Sequence, residues 1–351
     1  MKKFLPKVGG KKPPQEPQGR ITTDTLAEHR ERVLAGGRKF KYPVQYQRHK
    51  LVINTIIIAV VAVLVMVTLV WYLLYQAQNT SNFIYRVTKV IPAPVASIDN
   101  ENVRYSDYLM KYRGAAHYLL SVQRIDDSSD DGQRQLQDIK RGELNNAIAD
   151  AYAVKLGREL KVSVSDAELE SYLIQQRQTG EGEVSEATYR TVIRDYYDWS
   201  FDEYIEVMKS KLLRKKVSYA IDVVAETTAD SISSEINGKN NPDLKALADK
   251  VNADNPESVV YFPATWVPRT NQDHGLAEAA AKLKKGQVSE PITTASLSGE
   301  GYYFVKLVDS NDTSIRYEYI FVSLNEFTKR LDKAEKDGKL KTYITIGNVE
   351  E

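Results

Sequence analysis

From Leu51 to about Leu74 the chain reads LVINTIIIAVVAVLVMVTLVWYLL, roughly 24 residues without a charge and therefore about 36 Å of helix. That length spans a bilayer core. Asn54, Thr55 and Thr68 are small enough to bond within the helix, and Trp71, Tyr72 and Tyr75 fall where an interfacial aromatic belt belongs. A cleaved signal peptide is the competing reading, but the run is too long and starts about 50 residues in. An uncleaved signal anchor is expected at 51–75.

After the uncharged spacer QAQNTSNFIY the period becomes helical. Val95, Ser97 and the pair Asp99 and Asn100 predict a short strand and turn, after which Ser106 caps a helix. Leu144, Ile148, Ala151 and Tyr152 share one stripe of a core-facing helix. Ser165 with Glu168, and Ser200 with Glu203, are capping boxes that open two more helices, the second with Ile205, Met208 and Leu212 inward. TGEGEV breaks the chain between them, and TYRTVIRDYY is helical. Residues 92–216 thus form a mainly helical unit.

Beyond Lys216 the pattern mixes. VSYAIDVV predicts a strand, TTADSISSEINGKN and PDLKALADKVNADN two helices, VVYF an apolar strand, GLAEAAAKLKKG a short helix and GYYFVKLVD a strand. An α+β unit over 217–310 follows, too small and too mixed for parallel βαβ winding. Residues 311–351 add strand, helix, strand as RYEYIFVSL, NEFTKRLDKAEKDGK and LKTYITIG.

Charge separates the two ends of the chain. The whole carries a net +1, which gives no pull toward nucleic acid, but residues 1–50 hold 13 basic and four acidic side chains, a net +9. The remainder is acidic. Arg38, Lys39, Lys41, Arg48 and Lys50 precede the apolar run while Arg86 and Lys89 follow it, so the positive-inside rule keeps 1–50 cytoplasmic and exports the rest. The opening KKFLPKVGGKKPPQEPQG is too rich in Pro, Gly and Lys to build a core and is expected to be disordered. Thr25 and Glu28 then box a short helix that Gly36 and Gly37 stop. With no cysteine, thiolate chemistry, disulfides and Cys-ligated metals are excluded.

VASIDNENVRYSDYLMKYR resembles the opening of the bacterial SurA and PrsA type extracytoplasmic foldases. LNNAIADAYAVKLGRELKVSVSDAELESYL and FDEYIEVMKSKLLRKKV are similar to their following helices, in the same order. LKKGQVSEPI followed by GYYFVKLVD resembles a parvulin-type prolyl isomerase domain, and the last segment resembles the terminal element by which such foldases return to the helical domain. The resemblance implies an α+β fold with one transmembrane helix, a chaperone-like helical domain and an antiparallel-sheet domain. It also implies a partner class, unfolded or nascent exported polypeptides.

Carried over residue by residue, the isomerase site departs from the family. The family's first-strand His corresponds to Ala220 or Ile221, and its last-strand His to Tyr303. Its Gly-rich GGDLGW corresponds to Tyr261, Phe262, Pro263, Ala264, Thr265 and Trp266, so only the Trp agrees. The proline pocket positions fall at Gln272 and Leu276, and its carboxylate at Asp254. Trp266, Gln272 and Leu276 are thereby the peptide-binding candidates, and Asp254 and Tyr303 the catalytic ones should the site be active.

Three other constellations invite chemistry. Asp127, Ser129, Asp131 and Gly132 match the start of a calcium loop, but Arg134 and Asp138 stand where an apolar residue and a bidentate Glu are required, so a solvated acidic loop is expected. His274 beside Asp273 lacks any third partner and is expected at the surface. Tyr196, Tyr197, Trp199, Phe201 and Tyr204 form an aromatic cluster that is either core or a groove for unfolded peptide. Neither cofactor nor metal is expected. The reading is a membrane-anchored extracytoplasmic foldase or holdase with a degenerate isomerase site, the alternatives being an active isomerase or a non-catalytic envelope scaffold.

Overall fold

Helix α1 (Thr23–Trp71) carries the apolar run, and around its circumference Val52, Ile58, Leu64 and Met66 are all more than half exposed. The computed structural model describes residues 22–179, 182–254, 256, 258–296 and 298–347, and the side chains of 38–48, 254 and 295 lie outside that description. Residues up to Tyr72 form one unit and Leu73–Glu351 a second. Among the described residues, one helical stretch, His49–Gln76, is long and apolar enough to cross a membrane. The disordered opening expected at residues 2–19 falls outside the described residues.

Two expectations for the first unit are corrected. Gly36 and Gly37 do not stop the helix, and both lie within α1. Each glycine costs about 1 kcal/mol in a helix interior, which the continuing backbone bonds of so long a helix offset. The helix starts earlier than expected as well, with Thr22 as cap, its amide donating to Thr25 Oγ1 at 2.9 Å.

A π turn at Tyr72–Gln76, whose Leu74 is buried, is followed in the second unit by α2 (Asn82–Val90), so the spacer expected there is half helical. Strands β1 (Pro94–Ile98) and β2 (Glu101–Arg104) form a hairpin whose turn residues Asp99 and Asn100 take positive φ, as short polar side chains tolerate. Helix α3 (Tyr105–His117) begins without help from Ser106, because the Tyr105 amide is already bonded to Ala93 O at 2.8 Å; the Ser106 hydroxyl turns to Asp107. Helix α4 (Asp130–Leu160) packs between α3 and α7 (Phe201–Ile221). Helices α5 (Asp166–Gln176) and α6 (Glu186–Tyr197) flank the hairpin of β3 (Gln178–Thr179) and β4 (Gly182–Glu183). On α7 the inward face is Tyr204, Val207 and Met208, with Ile205 and Leu212 only half-buried, a one-position rotation of the expected stripe.

VSYAIDVV is not a strand. It ends α7 and begins α8 (Val223–Ile236), because Val217 and Ile221 sit four apart on the buried face, and Asp222 caps the second helix by accepting from the Ala225 amide at 3.0 Å. Helix α9 (Leu244–Asp254) precedes β5 (Val259–Pro268), and α10 (Leu276–Ala281) precedes β6 (Ile292–Ser296) and β7 (Gly299–Ser310). The next strand, β8 (Ser314–Ser323), is inserted between β5 and β7, giving an antiparallel sheet of order β5-β8-β7-β6. A boundary at 310 therefore separates two paired strands, and RYEYIFVSL belongs to this sheet. Alternation along β7 sends Phe304 into one core with Ile232, Leu244 and Ile320, and Tyr303 and Val305 into another with Leu276, Ala280 and Phe321. After α11 (Glu326–Lys336), β9 (Leu340–Thr342) pairs with β1 and so returns to the sheet of the first hairpin.

Candidate functional site

A cleft of about 530 Å³ opens among α3, α4, α5, α6 and α7. Its floor is apolar and its rim is mixed: Ile193, Val207 and Met208 are buried, whereas Val192 and Tyr196 are 40% and 43% exposed. Of the aromatic run that the sequence left open between core and groove, Tyr196, Tyr197, Trp199 and Tyr204 line it and Phe201 does not. Tyr118 stacks on Tyr196 and Tyr197, with centroids 5.9 and 6.1 Å away, and Tyr197 stacks on Trp199 at 4.9 Å.

Local chemistry fixes this wall. Asp198 takes φ +53° and ends α6, and Trp199 then crosses to α3, where its Nε1 donates to Met110 O at 2.9 Å. Gly114 admits the indole, since a Cβ there would lie 2.5 Å from the ring. Ser200 and Glu203 close the capping box of α7, with the Ser200 amide donating to Glu203 at 2.9 Å. The other oxygen of Glu203 accepts from the Tyr85 hydroxyl at 2.5 Å and from Lys89 at 3.3 Å. Burial opposes ionisation there, but bonds from Tyr85, Ser200 and Lys89 hold the carboxyl below its ordinary range.

Tyr189 and Tyr204 share a hydroxyl hydrogen bond of 2.7 Å, and burial with that bond pushes the Tyr204 phenol up, so it stays neutral. Beneath the cleft, buried Asp150 pairs with Lys111 and, at 3.1 Å, with Arg214. Lys211 reaches solvent along the cleft wall, yet protein atoms crowd it, and desolvation together with Lys111 and Arg214 lowers its pKa. The result is a concave apolar surface with rigid rings, a hydrogen-bonded tyrosine pair and a cationic edge.

Of the residues expected to form an isomerase site, Tyr303 and Leu276 meet in one core. Tyr303 is fully buried, its hydroxyl donating to Gly299 O at 2.5 Å and accepting from Ser296 at 2.9 Å, and Leu276 is buried in the same core. Trp266 is 47% exposed on β5, and Gln272 lies in the following loop with its amide on Thr270 O. Asp254 ends α9, and its side chain lies outside the described residues. The places expected for the first histidine, Ala220 and Ile221, are on α7 and not on a strand beside Tyr303. A second cavity, about 430 Å³ beside α10, is lined by none of these residues.

In the acidic loop, Ser129 caps α4 by accepting from the Gly132 amide at 3.0 Å, and Asp131 accepts from Gln135. A Cβ at Gly132 would meet Asp126 O at 1.9 Å, so the glycine serves close backbone packing. His274 is exposed, and its neighbour Asp273 accepts from Tyr317, Asn271 and the Ala277 amide. Sequence reasoning missed Tyr172, Tyr189 and Lys211 as cleft residues; Tyr172 comes from α5, which only packing brings near, whereas Tyr189 and Lys211 share α6 and α7 with the aromatic run, where helical spacing from Tyr196 and Tyr204 was the signal.

A family model described as a SurA-like N-terminal domain matches residues 45–218, which contain every wall of the cleft. None of the curated proteins matches the chain. Among solved structures, one described with PEB4 and Cj1289, two structurally related SurA-like chaperones of Campylobacter jejuni, is 13% identical and covers 70% of this chain and 91% of its own, with a TM-score of 0.24. At that TM-score the likeness carries no argument.

Proposed function

This chain belongs, through residues 45–218, to the SurA-like N-terminal domain family, and from that premise we propose that it is a membrane-anchored extracytoplasmic holdase whose cleft takes apolar segments of unfolded exported polypeptides. The observation that carries the reading is the aromatic cleft within the family-matched segment. A chaperone of this kind needs contact area that is large, apolar and cheap in entropy, and stacked tyrosines with an open rim supply it. Anchoring is supported by the apolar circumference of α1, and orientation by the basic residues before the apolar run. The burial of Tyr303 and Leu276 favours a non-catalytic role for the sheet-containing half, with the peptide-binding role of Trp266 and Gln272 kept as part of the same proposal.

The test uses the full chain in detergent micelles or nanodiscs and an unfolded client followed by light scattering. Wild-type protein is expected to suppress aggregation. Val192→Glu with Tyr196→Glu, both at the exposed rim, is expected to weaken client binding about tenfold or more, because each covered apolar side chain contributes about 1.5–3 kcal/mol. Lys282→Glu, on α10, is the control. Unchanged binding in the rim variant, with its melting curve intact, removes the cleft from the mechanism; no client binding by any form would leave a scaffold role.

A further inference from the structure

Helix α2 divides sharply into two faces. Ile84, Tyr85 and Thr88 are buried against the body, while Phe83 is 69% and Val90 83% exposed, with Ile91 following at 48%. Phe83, Arg86 and Val90 are spaced three and four apart, so they form one outward stripe. The inner cation, Lys89, is engaged by Glu203 and lies over the Tyr85 ring, whereas Arg86 has no partner among the described residues. An apolar stripe with one free cation, presented on a rigid helix, is unexplained by client binding in the cleft, whose walls α3 to α7 supply.

Covalent geometry supplies the occupant. Only Ala77–Ser81 separate the end of the apolar stretch at Gln76 from α2, a reach of at most about 18 Å. Leu74 is buried in the folded body, and the Tyr105 hydroxyl donates to its carbonyl at 2.7 Å, while Tyr75 donates to Pro94 O at 2.8 Å. Leu74 and Tyr75, at the end of the apolar stretch, are thus themselves bonded into the folded body. Tyr75, expected as an interfacial anchor, is thereby tied to the body.

We propose that the Phe83, Arg86, Val90 and Ile91 face of α2 beds into the headgroup boundary of the same membrane that holds α1, with Arg86 on lipid phosphate. Large side chains at this depth bury apolar area while the guanidinium stays in the polar layer. This inference rests on the anchored reading, and the experiment separates the two.

The chain has no cysteine, so single cysteines can be placed in the full-length protein. Phe83→Cys, Val90→Cys, Val60→Cys and Lys282→Cys, each carrying an environment-sensitive fluorophore, are reconstituted in phosphatidylcholine vesicles with and without phosphatidylglycerol. A lipid-borne nitroxide is the quencher. Labels at 83 and 90 are expected to be blue-shifted and quenched, more so with the anionic lipid, and the label at 282 neither. Adding Arg86→Glu to the 83 variant should abolish the gain from anionic lipid. A label at 83 that stays in water while the one at 60 is quenched overturns the inference and leaves anchoring intact. So does a label that is dry but unquenched, which would mean a protein covers the face, or equal quenching at 282. If the label at 60 is itself unquenched, anchoring fails and the inference with it.

Discussion

Glu168 shows how one carboxylate can join local and distant structure. It closes the capping box of α5, accepting from the Ser165 amide and hydroxyl at 2.8 Å each, and its other oxygen meets Lys216 of α7. The Lys216 contact and then the Ser165 bonds lower its pKa to about 2. The unfolded carboxyl titrates near 4.5, so the stabilising contribution is complete above that value and is lost as pH falls toward about 2. The melting temperature of Glu168→Gln is expected to lie below that of the wild type at about pH 6 and to converge on it at about pH 2, with salt narrowing the gap because the site is exposed. A gap that is independent of pH would assign the effect to packing.

At the scale of elements, Asp222 is the joint between α7, α8 and α11. One carboxylate oxygen accepts from the Ala225 amide, and the other accepts from the Asn325 and Glu326 amides at 2.7 and 2.9 Å. A single buried side chain thus caps two helices far apart in sequence. Asp222→Ala is expected to lower unfolding free energy by about 2–3 kcal/mol, since each cap contributes about 1 kcal/mol and buried amides are left unpaired. Asp222→Asn, with one acceptor oxygen left, should fall between; denaturant titration of the full chain reads both. The same joint explains what the sequence hid. VSYAIDVV has strand composition, and only the cap at Asp222 and the four-residue spacing of Val217 and Ile221 betray two helices. The boxes at Ser165 and Ser200 were legible because their chemistry is local, as was the apolar run of α1. The place of β8 between β5 and β7 was not, since strand order is decided by contacts that no local pattern encodes. The cleft was half legible: its aromatic run is contiguous, but Lys111 and Tyr172 arrive from other helices.

On the scale of the whole second unit, β8 joins the terminal segment to the four-stranded sheet, and β9, paired with β1, ties that segment back to the helical half. Removing residues 217–310 would strip β8 of both its neighbours, so the two halves are better separated by point substitutions than by truncation. Tyr219 of α7 adds a further tie, donating to Gly301 O at 2.7 Å with its ring edge-on to Tyr302. Isomerisation of a prolyl bond faces a barrier of about 18–20 kcal/mol, and lowering it requires groups that hold a twisted amide more tightly than a planar one. Tyr303 has its hydroxyl committed to Gly299 and Ser296, Leu276 is core, and Gln272 and Trp266 stand apart from both on a loop and a strand face. The full chain is therefore expected to leave the cis-to-trans rate of a proline tetrapeptide at its uncatalysed value while it suppresses client aggregation. Asp254→Ala and Trp266→Ala should leave that isomerisation rate unchanged within about twofold, because a group that does not hold a twisted amide more tightly than a planar one supplies no differential binding. An acceleration that Asp254→Ala abolishes would restore the isomerase reading and place the reacting amide against α9.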